Sequence, residues 1–166
     1  MGVSEAELEW LAAEVGRALQ ARGWMLATAE SCTGGWIAQV VTAIAGSSEW
    51  FERGFVTYSN AAKQEMLGVR AETLAQHGAV SEATVREMAV GALAASRAQV
   101  AVAVSGIAGP GGGTVDKPVG TVWIAWAGPA GVDAMRYHLL GDRQEIRAQT
   151  VQQALDGILK RAASAC

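Results

Sequence analysis

The run from Val100 to Val104 reads Val-Ala-Val-Ala-Val, with no polar residue to mark a side that faces solvent. A strand with one wet face usually alternates polar and apolar residues, whereas a continuous aliphatic run is typical of a strand covered on both faces. Such a strand needs helices above and below its sheet. The run therefore favours an α/β protein in which the sheet is the middle layer.

Helical and strand-like periods alternate through most of the chain. Apolar residues at helical spacing follow Ser4, Cys32, Ser81 and Asp142, and the spacing predicts two short helices at 60–67 and 71–77. The five predicted strands are Trp24–Thr28, Gly54–Tyr58, Val100–Val104, Val119–Ala127 and Ala134–Leu140. This order predicts a three-layer α/β/α sandwich with a mixed, mostly parallel sheet of about five strands, formed by residues 1–166 as one domain.

The charge balance argues against several kinds of partner. Lys and Arg number 13 against 16 Asp and Glu, a net charge of −3, and no basic cluster of the kind that binds nucleic acid occurs. The first residues are acidic and are not followed by the apolar segment of a signal peptide. No aliphatic stretch approaches the roughly 20 residues of a membrane helix. We therefore expect a cytoplasmic protein that binds neither nucleic acid nor membrane.

The thiols and imidazoles do not form a recognisable metal motif. Cys32 and Cys166 are the two cysteines, and reduced thiols are the expectation for a cytoplasmic protein. Together with His77 and His138 they lack the spacing of a zinc site. We expect both histidines to be structural, and we predict no metal and no cofactor.

The first segment that suggests chemistry is Glu30-Ser31-Cys32-Thr33-Gly34-Gly35. It follows a predicted strand and opens a predicted helix, which is where α/β proteins place ligand sites. N–H groups at a helix start can hold an anion or an oxyanion, and Ser31 can act there as a nucleophile. The same residues also suit a structural role, in which Ser31 or Thr33 caps the helix.

The second segment contains Tyr58 and Lys63, five positions apart across a predicted strand-to-helix turn. A lysine that is desolvated toward its neutral form can take part in proton transfer together with a tyrosine. The alternative is a surface lysine beside a half-buried tyrosine.

The third segment, Ser105-Gly106-Ile107-Ala108-Gly109, continues into Pro110 and three further glycines. Glycines at this density let backbone amides wrap a substrate. The spacing matches neither the Walker A nor the Rossmann motif. The alternative is a flexible loop without a ligand.

Taken together, these segments resemble the CinA C-terminal-domain family, and within it the stand-alone amidases rather than the larger proteins that carry an extra N-terminal domain. Several motifs in fixed order make the resemblance more specific than any one of them, and it extends from about residue 4 to about residue 160. The chain is expected to begin at the amidase-like part. The matching segments are Thr28–Gly35, Thr57–Lys63, Gly78–Ser81, Ser105–Gly113, Lys117–Val122 and Gly141–Arg143.

The resemblance implies an enzyme that hydrolyses the carboxamide of nicotinamide mononucleotide to nicotinate mononucleotide and ammonia. It implies Ser31 as the nucleophile, assisted by Tyr58 and Lys63, with the first and third segments around the substrate. Cys32, beside Ser31, is a rival nucleophile. Arg143 and Arg147 are candidates for binding the 5′-phosphate.

Two readings from other classes stay open. The glycine loops alone are compatible with a noncatalytic nucleotide-binding module. The six tryptophans are compatible with a homo-oligomer, because tryptophan is enriched at protein interfaces, and equally with ordinary core packing.

Overall fold

A five-stranded mixed sheet organises the protein. The structure, a computed structural model, describes residues 2–164, so Cys166 lies outside the described residues. The strands lie in the order β2-β1-β3-β4-β5. β1 pairs in parallel with β2 and β3, whereas β4 is antiparallel to both β3 and β5, so four of the five strands share one direction. The strands are β1 Leu26–Glu30, β2 Phe51–Val56, β3 Val100–Gly106, β4 Thr121–Gly128 and β5 Gly131–His138.

Helices cover both faces of this sheet, which confirms the predicted α/β/α sandwich. On one face α1, α2 and α6 pack over a large core that includes Val102 and Val104, and on the other α5 and the end of α3 pack over Ala101 and Ala103. The run 100–104 is therefore covered from both sides, as its composition predicts. The helices are α1 Glu5–Arg22, α2 Trp36–Thr42, α3 Asn60–Leu67, α4 Ala71–His77, α5 Glu82–Ala94 and α6 Arg143–Ser164, with a short 3₁₀ turn at Ser47–Glu49.

Several predicted boundaries were wrong, each for a local reason. β1 starts at Leu26 rather than Trp24, because the Trp24 N–H bonds back to Leu19 O and completes the end of α1. It then runs on to Glu30, whose buried carboxylate the apolar pattern does not anticipate. β2 starts at Phe51, three residues before the predicted Gly54, and its first residues include the ion pair of Glu52 with Arg53.

Helical glycines provide the space for two large side chains. A Cβ at Gly16 would lie 2.5 Å from the Trp50 ring, and one at Gly157 would overlap the Trp126 ring. Both tryptophans are buried, and Trp126 Nε1 donates to Ala154 O at 3.0 Å. Small residues therefore let α1 and α6 approach these rings, as the glycine-rich composition suggests.

The register of the parallel strands brings three hydroxyl residues to one edge. Glu30 is opposite Val56 of β2 and Val104 of β3. The residues that follow Glu30, Val56 and Val104 in the chain are Ser31, Thr57 and Ser105. These three therefore lie side by side at the carboxyl ends of the strands. Ligand sites of α/β sheets occupy this edge. Within residues 2–164, no helix is long and apolar enough to span a bilayer.

Candidate active site

A buried lysine and a serine meet at this edge. Lys63 Nζ lies 3.0 Å from Ser31 Oγ, and only 1% of the Lys63 residue is exposed. Lysine is rarely buried to this degree without a specific role. The structure therefore rules out the surface-lysine alternative and joins the first and second segments in one site.

The start of α3 places this lysine. Ser59 caps the helix by accepting from Ala62 N–H at 3.0 Å, which fixes the first turn and directs Lys63 inward. Lys63 Nζ also donates to the carbonyls of Thr57, at 3.0 Å, and Tyr58, at 3.2 Å. Burial lowers the pKa of the Lys63 ammonium below its usual value, and the negative charge that Cys32 carries when ionised acts in the opposite direction.

Glu30 organises the turn that follows β1. Its carboxylate accepts from Thr33 Oγ1 at 2.6 Å, from Ile37 N–H at 2.8 Å and from Ala38 N–H at 3.0 Å, and only 1% of the residue is exposed. Glu30 therefore caps the start of α2 with its side chain, seven residues before the Ile37 amide that it binds. The expectation that Ser31 or Thr33 caps this helix was wrong, and so was the expectation of an anion site at its start, because Glu30 already occupies two of its amides.

Gly34 and Gly35 delay the start of the helix until Trp36. Their φ angles are +61° and +105°, in the left-handed region that side chains disfavour. The Gly34 N–H donates to Ser31 O at 3.0 Å and the Ser31 N–H donates to Val104 O at 3.2 Å. The nucleophile turn, which we define as residues 31–35, is thus tied to β3 and closed on itself.

Two arginines of α6 bind backbone carbonyls around the site. Arg147 donates through Nε to Cys32 O and through Nη2 to Thr33 O, each at 3.0 Å, and its guanidinium lies 5.4 Å from the centre of the Trp36 ring. Arg143 donates to Gly109 O at 2.7 Å. Both residues predicted for the phosphate therefore hold the loops that surround Ser31.

The glycine-rich segment is anchored at its base. Ser105 is buried next to Ser31, and Ile107 is fixed to the start of β4 by its N–H to Thr121 O and its carbonyl from Gly120 N–H. Ala108 is buried in the first core, and Arg143 holds Gly109. The segment from Ser105 through Gly106 to Gly109 is thus anchored at several points, and it starts beside Ser31 rather than forming a free loop.

The remaining two predicted residues are placed differently from the dyad. Tyr58 is 64% exposed; within residues 2–164 no hydrogen bond to its hydroxyl is formed, and its carbonyl is the atom that contacts Lys63. Cys32 is buried, and this burial raises the pKa of its thiol to about 12, against smaller opposing effects from its own backbone N–H and from Arg147. A thiol that stays protonated is a poor nucleophile.

Thr57 is a residue that the sequence analysis missed. It is fully buried, its N–H donates to Glu30 O at 2.8 Å, and its carbonyl accepts from Lys63. Its hydroxyl has no hydrogen-bond partner in the part of the chain that the structure describes. Thr57 begins one of the matching segments, but its residue type does not reveal its role, because its contact with Lys63 is made by the backbone carbonyl.

The arrangement of Ser31 and Lys63 suits a serine nucleophile with a lysine base. A neutral amine 3.0 Å from a hydroxyl can accept its proton directly, and Ser–Lys pairs are a known variant of serine catalysis. Within residues 2–164, no three His, Cys, Asp or Glu side chains are grouped so that they hold a metal ion.

Known proteins are similar to this chain in sequence and in fold. The family model of the CinA C-terminal domain matches residues 8–162. The nicotinamide-nucleotide amidohydrolase PncC of Escherichia coli (strain K12) is 60% identical over 92% of this chain and 93% of its own length, and that of Enterobacter agglomerans is 56% identical over 95% and 97%. The crystal structure of the competence/damage inducible protein CihA from Agrobacterium tumefaciens matches with a TM-score of 0.91 at 48% identity, covering 96% of this chain and 97% of that chain. The chain therefore belongs to the CinA C-terminal domain family.

Proposed function

We infer that this protein is a nicotinamide-nucleotide amidohydrolase that converts nicotinamide mononucleotide to nicotinate mononucleotide and ammonia. Relatives of that name match most of the chain at 53–60% identity. The observation that carries the chemistry is the buried contact of 3.0 Å between Lys63 Nζ and Ser31 Oγ. An amide is a weak electrophile, so its hydrolysis needs an activated nucleophile of this kind.

The proposed reaction has two halves. Neutral Lys63 takes the Ser31 proton while Ser31 Oγ bonds to the carboxamide carbon. The C–N bond then breaks, and the leaving nitrogen takes the proton from Lys63 and departs as ammonia. Water attacks the resulting acyl-enzyme, again with Lys63 as the base, and releases the carboxylate and free Ser31. Each half avoids the direct attack of water on an amide.

Backbone N–H groups of the nucleophile turn are the proposed oxyanion donors. The Gly34 N–H is already used by Ser31 O, whereas the Thr33 N–H has no backbone acceptor among residues 2–164. Thr33 lies two residues after the nucleophile in the same turn, where an N–H donor suits the oxygen that becomes negative in the transition state, and one such donor contributes about 10²- to 10³-fold in rate.

The segment from Ser105 to Gly109 is proposed to hold the rest of the substrate. Ser105 lies beside Ser31 at the ends of β3 and β1, and Arg143 uses one of its N–H donors on Gly109 O within residues 2–164. The other donors of this guanidinium make Arg143 the better of the two arginines for a phosphate.

We also propose that the enzyme works in the cytoplasm and as a homo-oligomer. Trp10, 63% exposed on α1, is compatible with an interface.

An ammonia-release assay tests the function. Wild-type protein is expected to release ammonia from the mononucleotide, and Ser31→Ala to lower kcat by more than about a thousandfold. Ser48→Ala, an exposed serine outside the site, is the control and should keep full activity. Tight mononucleotide binding without turnover in the wild type would identify a noncatalytic binding module instead.

A further inference from the structure

We propose that Arg147 is a positioning residue for catalysis, which fixes the Thr33 N–H in the direction of the reacting oxygen and is not a ligand of the substrate phosphate. This inference rests on the proposed function. It starts from the two bonds of 3.0 Å that Arg147 makes to consecutive carbonyls, those of Cys32 and Thr33.

Each of these bonds sets the orientation of a whole peptide group. A trans peptide is planar, so its C=O and the following N–H point in opposite directions. The bond to Cys32 O therefore turns the Thr33 N–H away from Arg147. The bond to Thr33 O acts in the same way on the Gly34 N–H, which closes the turn on Ser31 O.

The direction away from Arg147 is the direction of the dyad. α6, which carries Arg147, covers the face of the sheet that α1 and α2 also cover, whereas Lys63 lies in α3 on the opposite face. Ser31 Oγ contacts Lys63 on that opposite side. The peptide between Cys32 and Thr33 thus presents its carbonyl to the arginine and its N–H to the side where the carbonyl of the substrate is attacked.

The form of the contact explains why an arginine is present. The planar guanidinium holds its N–H donors in a rigid fork and so fixes the direction of two neighbouring carbonyls, whereas the donors of an ammonium rotate on a flexible stem. The Trp36 ring, 5.4 Å from the guanidinium carbon, further limits its rotation. Glu30 also holds this residue by accepting from Thr33 Oγ1, so both the carbonyl and the side chain of Thr33 are restrained.

Arg22 offers a matched control. Its Nε donates to Ala162 O at 3.0 Å and its guanidinium lies 5.2 Å from the Trp24 ring, so it makes the same kinds of contact as Arg147. Arg22 precedes β1 in the chain, whereas Ser31 follows β1. The length of this five-residue strand, about 17 Å, separates its two ends. Replacing either arginine by alanine removes similar packing, but only one of them touches the nucleophile turn.

The kinetic test uses the mononucleotide and nicotinamide riboside, which lacks the phosphate. Arg147→Ala is expected to lower kcat about 10²-fold or more, with KM for the mononucleotide changed less than about threefold and the preference between the two substrates unchanged. Added guanidinium ion should restore part of the lost rate.

Arg22→Ala is the control for this test. It should keep kcat within about twofold of wild type at a loss of thermal stability comparable to that of Arg147→Ala. If Arg147→Ala instead raises KM for the mononucleotide alone, the arginine binds phosphate and the proposal is wrong; an equal loss of kcat in both variants also overturns it.

A second readout separates this proposal from the proposed function. A fluorophosphonate labels an activated serine through an oxyanion-like intermediate, so the labelling rate of Ser31 needs no carboxamide substrate. Arg147→Ala should slow labelling and Arg22→Ala should not, even if the wild type releases no ammonia and the proposed activity fails. If Arg147→Ala does not fold, Arg147→Lys takes its place, and labelling at the wild-type rate in that variant would overturn the proposal.

Discussion

Lys63 Nζ and Ser31 Oγ lie 3.0 Å apart although 32 positions separate them in the chain. β1 ends at Glu30 and β2 ends at Val56, directly opposite each other in a parallel pair, so the turns that follow them start side by side. The first turn carries the serine, and the second leads into the helix that carries the lysine. The dyad is therefore a product of the parallel pairing of β1 with β2.

The buried position of Lys63 predicts how activity depends on pH. Burial lowers the pKa of its ammonium below the usual 10.5, and only the neutral amine can accept the serine proton. We expect kcat/KM to rise with pH and to level off below pH 10.5. Lys63→Arg should be inactive at every pH tested, because a guanidinium stays protonated. A measured profile that is flat on its acidic side would contradict this role for Lys63.

The same shift predicts the pH dependence of stability. Between the lowered pKa in the folded state and the ordinary value of the unfolded chain, the unfolded state binds more protons, so the free energy of unfolding rises with pH. The cost of burying a charged lysine is fully present below the folded pKa and is relieved above it. Relative to Lys63→Met, the wild type should therefore gain stability as the pH increases from neutral. Urea unfolding of both proteins, followed by tryptophan fluorescence at several pH values, measures this difference, and a constant difference would contradict the shift.

Cys32 is predicted to be dispensable for the chemistry. With a pKa raised to about 12, its thiol stays protonated at neutral pH and is buried from reagents. Cys32→Ala should keep kcat within about threefold of wild type, because removing the sulfur leaves the backbone of the turn in place. Iodoacetamide should leave the native enzyme active. Rapid inactivation with label on Cys32 would instead support a cysteine nucleophile.

Tyr58 is predicted to act through its backbone. The Lys63 amine contacts Ser31 directly, and the side chain of Tyr58 is exposed. The contact of Tyr58 with Lys63 is made by its backbone carbonyl, at 3.2 Å. Tyr58→Phe should therefore keep kcat within about twofold of wild type. A loss of a hundredfold in kcat at unchanged KM would show that the hydroxyl takes part in the proton transfer after all.

The sequence was sufficient to predict the layers of the fold and to select Ser31 and Lys63, which the structure brings into contact, as candidate residues. The aliphatic run at 100–104 predicts its own burial, and motif resemblance identifies Ser31 and Lys63 without their geometry. Tyr58 shows the limit of such reasoning. Tyr58 occupies the position that the family motif gives to a tyrosine, but the turn after β2 directs its side chain outward. Its sequence distance from Lys63 does not determine that direction.

The supports of the nucleophile turn lie further from what a sequence can indicate. Arg147 is 114 and 115 positions from the two carbonyls that it binds, and backbone carbonyls carry no sequence signature. Arginines near a predicted nucleotide site suggest phosphate binding, because the alternative contact is invisible before the chain is folded. Glu30 is a similar case, since a carboxylate at the end of a buried strand does not reveal which amides it will reach.

The cap that Glu30 forms leads to the last prediction. Its two oxygens accept three hydrogen bonds while the side chain is almost fully buried, so each oxygen needs donors. Glu30→Gln replaces one oxygen by an NH₂ group, which faces N–H or O–H donors and leaves at least one of them unpaired, at a cost of about 1–3 kcal/mol. The start of α2 and the nucleophile turn should both loosen. We expect a lower free energy of unfolding in urea and a lower kcat. Glu52→Gln, a carboxylate on the exposed edge strand β2, is the control and should leave kcat unchanged. Full stability in Glu30→Gln would show that the carboxylate is not needed as a cap.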